Sequence, residues 1–432
     1  MNHQVKKLPN SAVEMTISLS AEEITPVKTK ILDEMKDKVE IKGFRKGKAP
    51  LERIEQEHRE NVVGQVVEKM LDQHFNQAVQ EENIIPVSYI QELRTDLKDG
   101  GMDIVFNIDV YPEITLGEYK GLSAEKENFV MSDELLDQEM KLMQNSKSQQ
   151  KAAEKDYQAQ TGDIVDVAYE GFIDGTPFEG GKSDSQMLRL GSKTFIDTFE
   201  DQLTGYTAGQ EGEVHVTFPE KYHSQDLAGK PAMFKVKVNA IKQVILPEWS
   251  DELAKEFGYE SLADLKEKKR EEIKAREERR AENAYRGKLL EKISAETKVE
   301  LPFTMIANEI GNRIRELEQQ LGGQGIKLDT YLKMTGTDMQ TLEKQMAPGA
   351  AVKVRSDLIL SEIAKKEGIS VSEEEVAERL KEIAEYYGTE PEKLKEDIDR
   401  KGNLEALLNT IRAERTMEKA LDFVQESAVQ PA

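Results

Sequence analysis

The hexapeptide at residues 43–48 carries three cationic side chains and one aromatic side chain on a glycine-containing turn. Its residues are Gly43, Phe44, Arg45, Lys46, Gly47 and Lys48. Arginine and lysine suit phosphate oxygens and acidic side chains, and an exposed phenylalanine can insert into an apolar notch. A nucleotide-binding P-loop is excluded, because only three residues separate the glycines and Ala49 follows the lysine. The segment therefore predicts either a binding site for an acidic or phosphate-bearing partner or a solvated connection.

Aromatic residues and glycines form a second group between Gly162 and Phe234. The group consists of Gly162, Asp163, Tyr169, Gly171, Asp174, Gly175, Phe178, Glu179, Gly180, Phe195, Ile196, Phe199, Glu200, Asp201, Phe218, Pro219, Tyr222, His223 and Phe234. Judged by residue type alone, these aromatic side chains fill the core of a β domain, since most buried aromatics are structural. None of the five histidines has a partner at ligand spacing, and cysteine is absent. We therefore predict no metal site and no thiol chemistry.

The composition restricts both the architecture and the partners. A chain of 432 residues is long enough for roughly two to four domains. Its 38% hydrophobic and 33% charged residues indicate a multi-lobed molecule with much exposed surface. The net charge of −23 argues against general nucleic-acid binding, so any contact with RNA must come from a local basic patch.

The first residues and the apolar runs predict a cytoplasmic protein without a membrane partner. Residues 1–10 contain lysines but neither the apolar core nor the cleavage site of a signal peptide. No apolar run approaches the roughly 18 residues that a membrane-spanning helix requires. We also expect no cofactor, because a second P-loop-like segment at 175–183 has Thr176 in place of the first glycine.

The elements around the hexapeptide predict a small domain of mixed helices and strands. One face of a strand at 11–19 carries Val13, Met15, Ile17 and Leu19. Ser20 and Glu23 form a capping box that starts a helix, and Pro50 opens another. A second alternating strand at 104–110 closes the domain. This order places the hexapeptide at the end of a helical hairpin.

The rest of the chain divides into a β-rich part and a helical part. After a helix at 133–145, short strands are predicted at 164–173, 187–190, 213–218 and 233–244. Beyond Pro247, helices are predicted at 261–298, 303–320, 350–367, 373–387 and 403–426, separated by Gly-Gly, Pro-Gly and Lys-Glu-Gly breaks. The first of these would span on the order of 50 Å, and we expect it to project as an arm.

The predicted fold class is therefore a multidomain α+β protein. It combines a small α/β domain, an antiparallel β domain and a large all-α C-terminal domain with helical arms.

The aromatic group resembles the FKBP-type peptidyl-prolyl isomerase family. The resemblance implies a proline pocket lined by Tyr169, Phe178, Glu179, Leu188, Ile196, Phe199, Tyr222 and Phe234. Such a pocket needs no nucleophile, metal or titrating base, because the twisted X-Pro amide is less polar than the planar one and an apolar site favours it. Asp197-Thr198 replaces the Pro-Gly turn of many members, and Leu188 stands where many have an aromatic residue. Leu188 is expected to loosen the pocket, and the two departures together leave the strength of the isomerase activity open.

The hexapeptide resembles Gly-Phe-Arg-x-Gly-Lys, the ribosome-binding signature of the bacterial trigger factor family, and the order of the three parts of the chain is similar too. The resemblance implies a chaperone for nascent and unfolded polypeptides. It also implies that Phe44, Arg45 and Lys46 contact a protein of the large ribosomal subunit and adjacent rRNA beside the exit tunnel, with support from Lys48.

The same resemblance suggests domain limits. Residues 1–112 form the ribosome-binding domain, 151–246 form the FKBP-type domain, and 113–150 join 247–432 in a helical chaperone domain. Two other functions remain open: a free-standing prolyl isomerase whose flanks recruit substrates, and a helical scaffold that binds no client. The sequence also leaves open whether the free protein forms a homodimer.

Overall fold

The computed structural model describes residues 2–98, 101–196, 198–220, 222 and 227–429, without the side chain of Glu179. The chain divides into two compact units. The first unit combines Met1–Glu127 with Glu282–Ala432, and the second is Asn128–Ala281. Each unit contains one antiparallel sheet together with helices.

Four strands and three helices form the N-terminal part of the first unit. The strands are β1 (Asn2–Leu8), β2 (Ala12–Leu19), β3 (Gln91–Lys98) and β4 (Gly101–Asp109), in the antiparallel order β1-β2-β4-β3. The helices are α1 (Ala21–Lys36), α2 (Leu51–Glu57) and α3 (Arg59–Glu81). The predicted alternation in β2 is confirmed, because its inward side chains all lie in one core with residues of α1 and α3.

The capping box predicted at the start of α1 is also confirmed. The N–H of Glu23 donates to Ser20 Oγ at 3.3 Å, and the Glu23 carboxylate accepts the N–H of Ser20 at 2.8 Å. These bonds satisfy two backbone donors that have no partner within the helix.

The second unit contains the predicted antiparallel β domain. Helix α4 (Asp133–Ser146) precedes strands β5 (Gln149–Ala152), β6 (Ile164–Ile173), β7 (Thr176–Arg189), β8 (Glu211–Thr217) and β9 (Pro231–Ile245). The strand order is β5-β9-β6-β7, and β8 pairs with β9. A short helix α5 (Phe199–Gln202) packs against β8. Strand β7 begins well before the predicted position 187, because its glycines and charged residues hide the apolar alternation.

The remainder of the chain is helical, as predicted. The helices are α6 (Asp251–Glu256), α7 (Leu262–Glu296), α8 (Phe303–Gly323), α9 (Leu328–Thr335), α10 (Met339–Glu367), α11 (Glu373–Tyr386), α12 (Pro391–Asp399) and α13 (Leu404–Glu426). The five predicted helices correspond to α7, α8, α10, α11 and α13. In the described ranges, no helix is both long enough and apolar enough to cross a membrane.

The predicted break at Pro348-Gly349 is wrong, because α10 continues through both residues. Proline has no N–H, so one carbonyl of the preceding turn loses its helical partner. Arg313 of α8 packs at this point, and its Nη2 donates to the carbonyl oxygen of Gly349 at 3.1 Å. A Cβ on Gly349 would lie 2.9 Å from Arg313 Nη1, so the missing side chain makes room for the guanidinium. Packing of α8 on α10 therefore places the Arg313 guanidinium against Gly349 of the continuous helix.

The segment after β4 joins the C-terminal helices within the first unit. Thr115 and Lys298 exchange two backbone hydrogen bonds of 3.0 Å, and the N–H of Gly117 donates to Thr297 Oγ1 at 3.1 Å. The hydroxyl of Tyr119 donates to the Glu367 carboxylate at 2.7 Å. These contacts span a large sequence separation, so the first part of the predicted linker segment packs as part of the helical core.

Candidate functional site

The hexapeptide 43–48 lies in the loop between α1 and α2, and both ends of this loop are fixed in the core. Ile41 on one side and Ala49 on the other are buried at 4% and 5% exposure. Between them the side chains face solvent, and Phe44 is 41% exposed. The burial of two anchors keeps the intervening residues outside the core.

Two tight turns shape this loop. Gly43 and Gly47 have φ values of +91° and +79°, in the left-handed region that glycine adopts without strain. The N–H of Phe44 donates to the carbonyl of Ile41 at 3.0 Å, and the N–H of Lys48 donates to that of Arg45 at 2.9 Å. The glycines are thus required by the backbone conformation, while the side chains between them remain available.

The three cations of the hexapeptide are available to a partner. Among the described residues, Arg45, Lys46 and Lys48 have no ion pair and no side-chain hydrogen bond. Because the whole chain has a net charge of −23, this loop is a local site of positive charge on an acidic protein. Free cations beside an exposed aromatic ring suit a partner that carries both negative charge and an apolar notch.

A cavity of about 500 Å³ opens in the β domain of the second unit. It is lined by Tyr169, Phe178, Gly180, Gly181, Thr194, Phe195, Ile196, Phe199, Phe218, Pro219, Tyr222, Leu227 and Phe234. Strands β6, β7 and β9 supply the floor, and helix α5 supplies the walls together with the loop between β7 and α5 and the loop after β8. The described lining contains no carboxylate, imidazole or ammonium group, so the cavity offers apolar contact rather than acid–base chemistry.

The structure brings together six of the eight residues predicted for the pocket. These are Tyr169, Phe178, Ile196, Phe199, Tyr222 and Phe234. Leu188 lies outside this lining: it pairs with Val165 in the sheet, and both are buried in the core. Glu179 belongs to β7, but its side chain lies outside the described part of the structure. Asp197, in the turn that replaces Pro-Gly, also lies outside the described residues.

The aromatic rings of the cavity hold one another by edge-to-face packing. The centroids of Phe199 and Phe234 are 5.4 Å apart with planes at 89°, and those of Tyr169 and Phe199 are 6.1 Å apart at 79°. The ring centroids of Phe218 and Tyr222 lie 4.9 Å apart, with planes tilted at 58°. Such pairs add about 0.5–1.5 kcal/mol each beyond the burial of their area, so the cavity walls are preorganised.

Several lining residues were not predicted as site residues. Phe195, Phe218 and Pro219 belong to the aromatic group of the sequence, but nothing in their spacing separates a cavity wall from a core position. Thr194 and Leu227 also line the cavity, but threonine and leucine are too common in proteins to indicate a binding site.

The sheet, the short helix and the aromatic cavity define an FKBP-type peptidyl-prolyl isomerase domain. The family described as "FKBP-type peptidyl-prolyl cis-trans isomerase" matches residues 155–239. Residues 1–143 match "Bacterial trigger factor protein (TF)", and residues 261–424 match its C-terminus. The chain belongs to the trigger factor family, and it is therefore a chaperone that carries an isomerase domain.

Curated relatives agree over the full length of the chain. A trigger factor of Fusobacterium nucleatum is 46% identical over 99% of this chain and 100% of its own. One from Anoxybacillus flavithermus is 37% identical over 99% of both chains, and one from Bacillus pumilus is 38% identical over 96% of both. A solved trigger factor chaperone is 21% identical over 98% of this chain and 100% of its own, with a TM-score of 0.48.

Proposed function

We propose that the chain works in the cytoplasm and docks on the large ribosomal subunit through the hexapeptide 43–48. In this proposal Phe44 enters an apolar notch, Arg45 and Lys46 bind acidic side chains and adjacent rRNA phosphates, and Lys48 adds to the positive charge. The observation that carries the proposal is the exposure of Phe44 between the two buried anchors.

The acidic body makes such docking selective. Repulsion between the net negative chain and RNA opposes general coating of the ribosome, while one cationic loop permits attachment at a single place. A chaperone held beside the exit tunnel meets nascent segments at high effective concentration, so weak contacts with each segment are sufficient.

Co-sedimentation with ribosomes tests this proposal. A Phe44→Ala/Arg45→Ala/Lys46→Ala variant is expected to lose most of its ribosome binding. The matched control is Arg59→Ala/Lys69→Ala/Tyr89→Ala, which likewise removes one arginine, one lysine and one aromatic residue, from exposed positions of the same domain that have no ion pair among the described residues. The proposal fails if the loop variant sediments as well as the unsubstituted chain.

We propose that the cavity binds proline and supplies the isomerase activity. The aromatic walls contact the pyrrolidine ring, and the apolar surroundings favour the less polar, twisted amide over the planar one. Tyr222 would donate a hydrogen bond to a substrate carbonyl. Tyr222→Phe keeps the ring and removes the donor, so it is expected to lower kcat/KM on a proline peptide by about tenfold.

A client without proline separates the chaperone function from the isomerase function. Tyr222→Phe is expected to suppress aggregation of such a client as well as the unsubstituted chain does. Loss of suppression in this variant would favour a prolyl isomerase with recruiting flanks.

We further propose that residues 113–150 and 247–432 together form one chaperone domain. Residues 1–112 and 151–246 form two other domains, for ribosome binding and for isomerisation. Support comes from the contacts of residues 115–119 with Thr297, Lys298 and Glu367, and from the packing of Leu136 and Met140 with residues of α7.

We also propose that the free chain forms a homodimer, because a dimer contact at Phe44 would bury this exposed side chain when no ribosome is bound. A sedimentation coefficient that stays at the monomer value over a wide concentration range would contradict it.

A further inference from the structure

The carboxylate of Glu200, in helix α5, is buried directly behind the cavity. Only 3% of the residue is exposed, and its neighbour Phe199 contributes a ring to the lining. Among the described residues, no cation forms an ion pair with Glu200. A buried charge without a counter-ion is costly unless hydrogen bonds compensate for the lost water.

Backbone N–H groups of one loop supply this compensation. Glu200 Oε2 accepts the N–H of Lys193 at 2.8 Å, and Oε1 accepts those of Thr194 and Phe195 at 2.8 Å and 3.0 Å. The hydroxyl of Ser192 also donates to Oε1, at 3.0 Å. Three successive amides thus converge on one carboxylate. Burial raises the pKa of Glu200, but these hydrogen bonds outweigh burial and hold the pKa below its ordinary value.

The same loop is a wall of the cavity. Thr194, Phe195 and Ile196 all line it, and the ring of Phe195 lies 5.1 Å from that of Phe199 and 5.9 Å from that of Tyr169. The loop belongs to no helix or strand, and Lys193 has a left-handed φ of +58° that L-residues rarely adopt. Its conformation therefore depends on bonds from outside the loop, and Glu200 provides most of them.

We propose that Glu200 is a positioning residue for prolyl isomerisation, which holds loop 192–196 in place as the wall that contacts the substrate proline. The inference rests on the proposed role of the cavity. Glu200 itself has no contact with substrate in this scheme, since it lies behind the wall and acts through Phe195 and Ile196.

A glutamine cannot replace this carboxylate. The amide has one acceptor oxygen instead of two, and its NH₂ group would face the N–H of Lys193, donor against donor. The wall contacts the substrate proline whether its amide is planar or twisted. A looser wall therefore weakens binding of both the ground state and the transition state. Glu200→Gln is therefore expected to raise KM for a proline peptide about tenfold, with kcat changed by no more than about twofold.

Asp201→Asn is the matched control. It makes the same charge change one position further along α5, where the side chain is exposed and has no hydrogen bond to a described residue. Both variants are assayed as full chains, well below their unfolding temperatures. A KM for Glu200→Gln within about twofold of the unsubstituted value overturns the proposal, as does a lower melting temperature with unchanged kinetics. An inactive unsubstituted chain would instead refute the proposed cavity function.

A measurement on the unsubstituted chain avoids dependence on the folding of a variant. Amide hydrogen exchange is expected to show protection at Lys193, Thr194 and Phe195, although these residues lie in a loop. Exchange at the rate of an open loop would show that the carboxylate does not hold the wall, and would overturn the proposal.

Discussion

The rings of Phe178 and Phe234 meet edge to face across Gly171, with centroids 5.9 Å apart and planes at 88°. A Cβ on Gly171 would lie 2.6 Å from a ring carbon of each phenylalanine, closer than non-bonded carbons approach. The absence of one side chain in β6 therefore lets two strands bring their rings together as the cavity floor.

Gly171→Ala is expected to separate these rings and to reduce isomerase activity. The added methyl must displace Phe178 or Phe234, and overpacking of this kind costs about 1–3 kcal/mol. We expect kcat/KM on a proline peptide to fall about tenfold. The measurement is the protease-coupled peptide assay, together with thermal unfolding.

Gly64→Ala is the contrasting substitution. Gly64 lies within α3, and an added Cβ has no atom within 4 Å. Alanine in a helix interior should stabilise the first unit by up to about 1 kcal/mol and leave isomerase activity unchanged. Equal activity losses in the two variants would contradict the role given to Gly171.

The sequence predicted those parts of the fold in which burial follows a simple period. Val13, Met15, Ile17 and Leu19 were placed correctly because β2 has one face in the core and one outside it. Strand β3 was missed, because it is an edge strand in which only Thr95 is even partly buried, so no alternation is visible. Pro348-Gly349 misled the prediction because proline and glycine usually interrupt a helix, whereas α10 continues through both and packs there against Arg313 of another helix.

The cavity also could not be predicted from the period of apolar residues. Its residues come from three strands, a short helix and connecting loops, so no periodicity unites them, and it was family resemblance that indicated them. Resemblance also included Leu188, whose side chain the sheet register directs to the core opposite Val165. The position of Glu200 behind the wall could not be predicted from the sequence, because its hydrogen-bond partners are backbone N–H groups, which almost every residue has.

Alkaline pH is expected to destabilise the first unit through Tyr119. Burial and the hydrogen bond to Glu367 raise the pKa of Tyr119 from 10.0 to about 12. A raised pKa in the folded state means that the neutral phenol stabilises the fold fully below pH 10.0, and that this contribution is lost as pH rises towards about 12.

Absorbance titration at the tyrosinate band measures this effect. Tyr119→Phe should remove an ionisation step near the upper end of the range and lower the free energy of unfolding at neutral pH by about 1 kcal/mol. It should also flatten the pH dependence of stability above pH 10.0. Loss of amplitude around pH 10.0 instead of at the alkaline end would show that Tyr119 ionises with the exposed tyrosines.

Ribosome binding is expected to weaken as salt increases. The cations of the hexapeptide are exposed and unpaired in the described structure, so salt should screen their attraction to phosphates and carboxylates. Binding of the unsubstituted chain should fall by roughly tenfold or more between low and physiological salt, while that of Phe44→Ala should be weaker at every salt concentration. Salt-independent binding would argue against contact through Arg45 and Lys46.

Site-specific photo-crosslinking tests the proposed docking most directly. A photoreactive phenylalanine analogue at position 44 is expected to crosslink to a large-subunit protein or to rRNA near the exit tunnel. The same analogue at Tyr89, which is 95% exposed in the same domain, should give little ribosomal product. Ribosomal crosslinks from position 89 but none from position 44 would contradict the proposal that Phe44 inserts into an apolar notch of the large subunit.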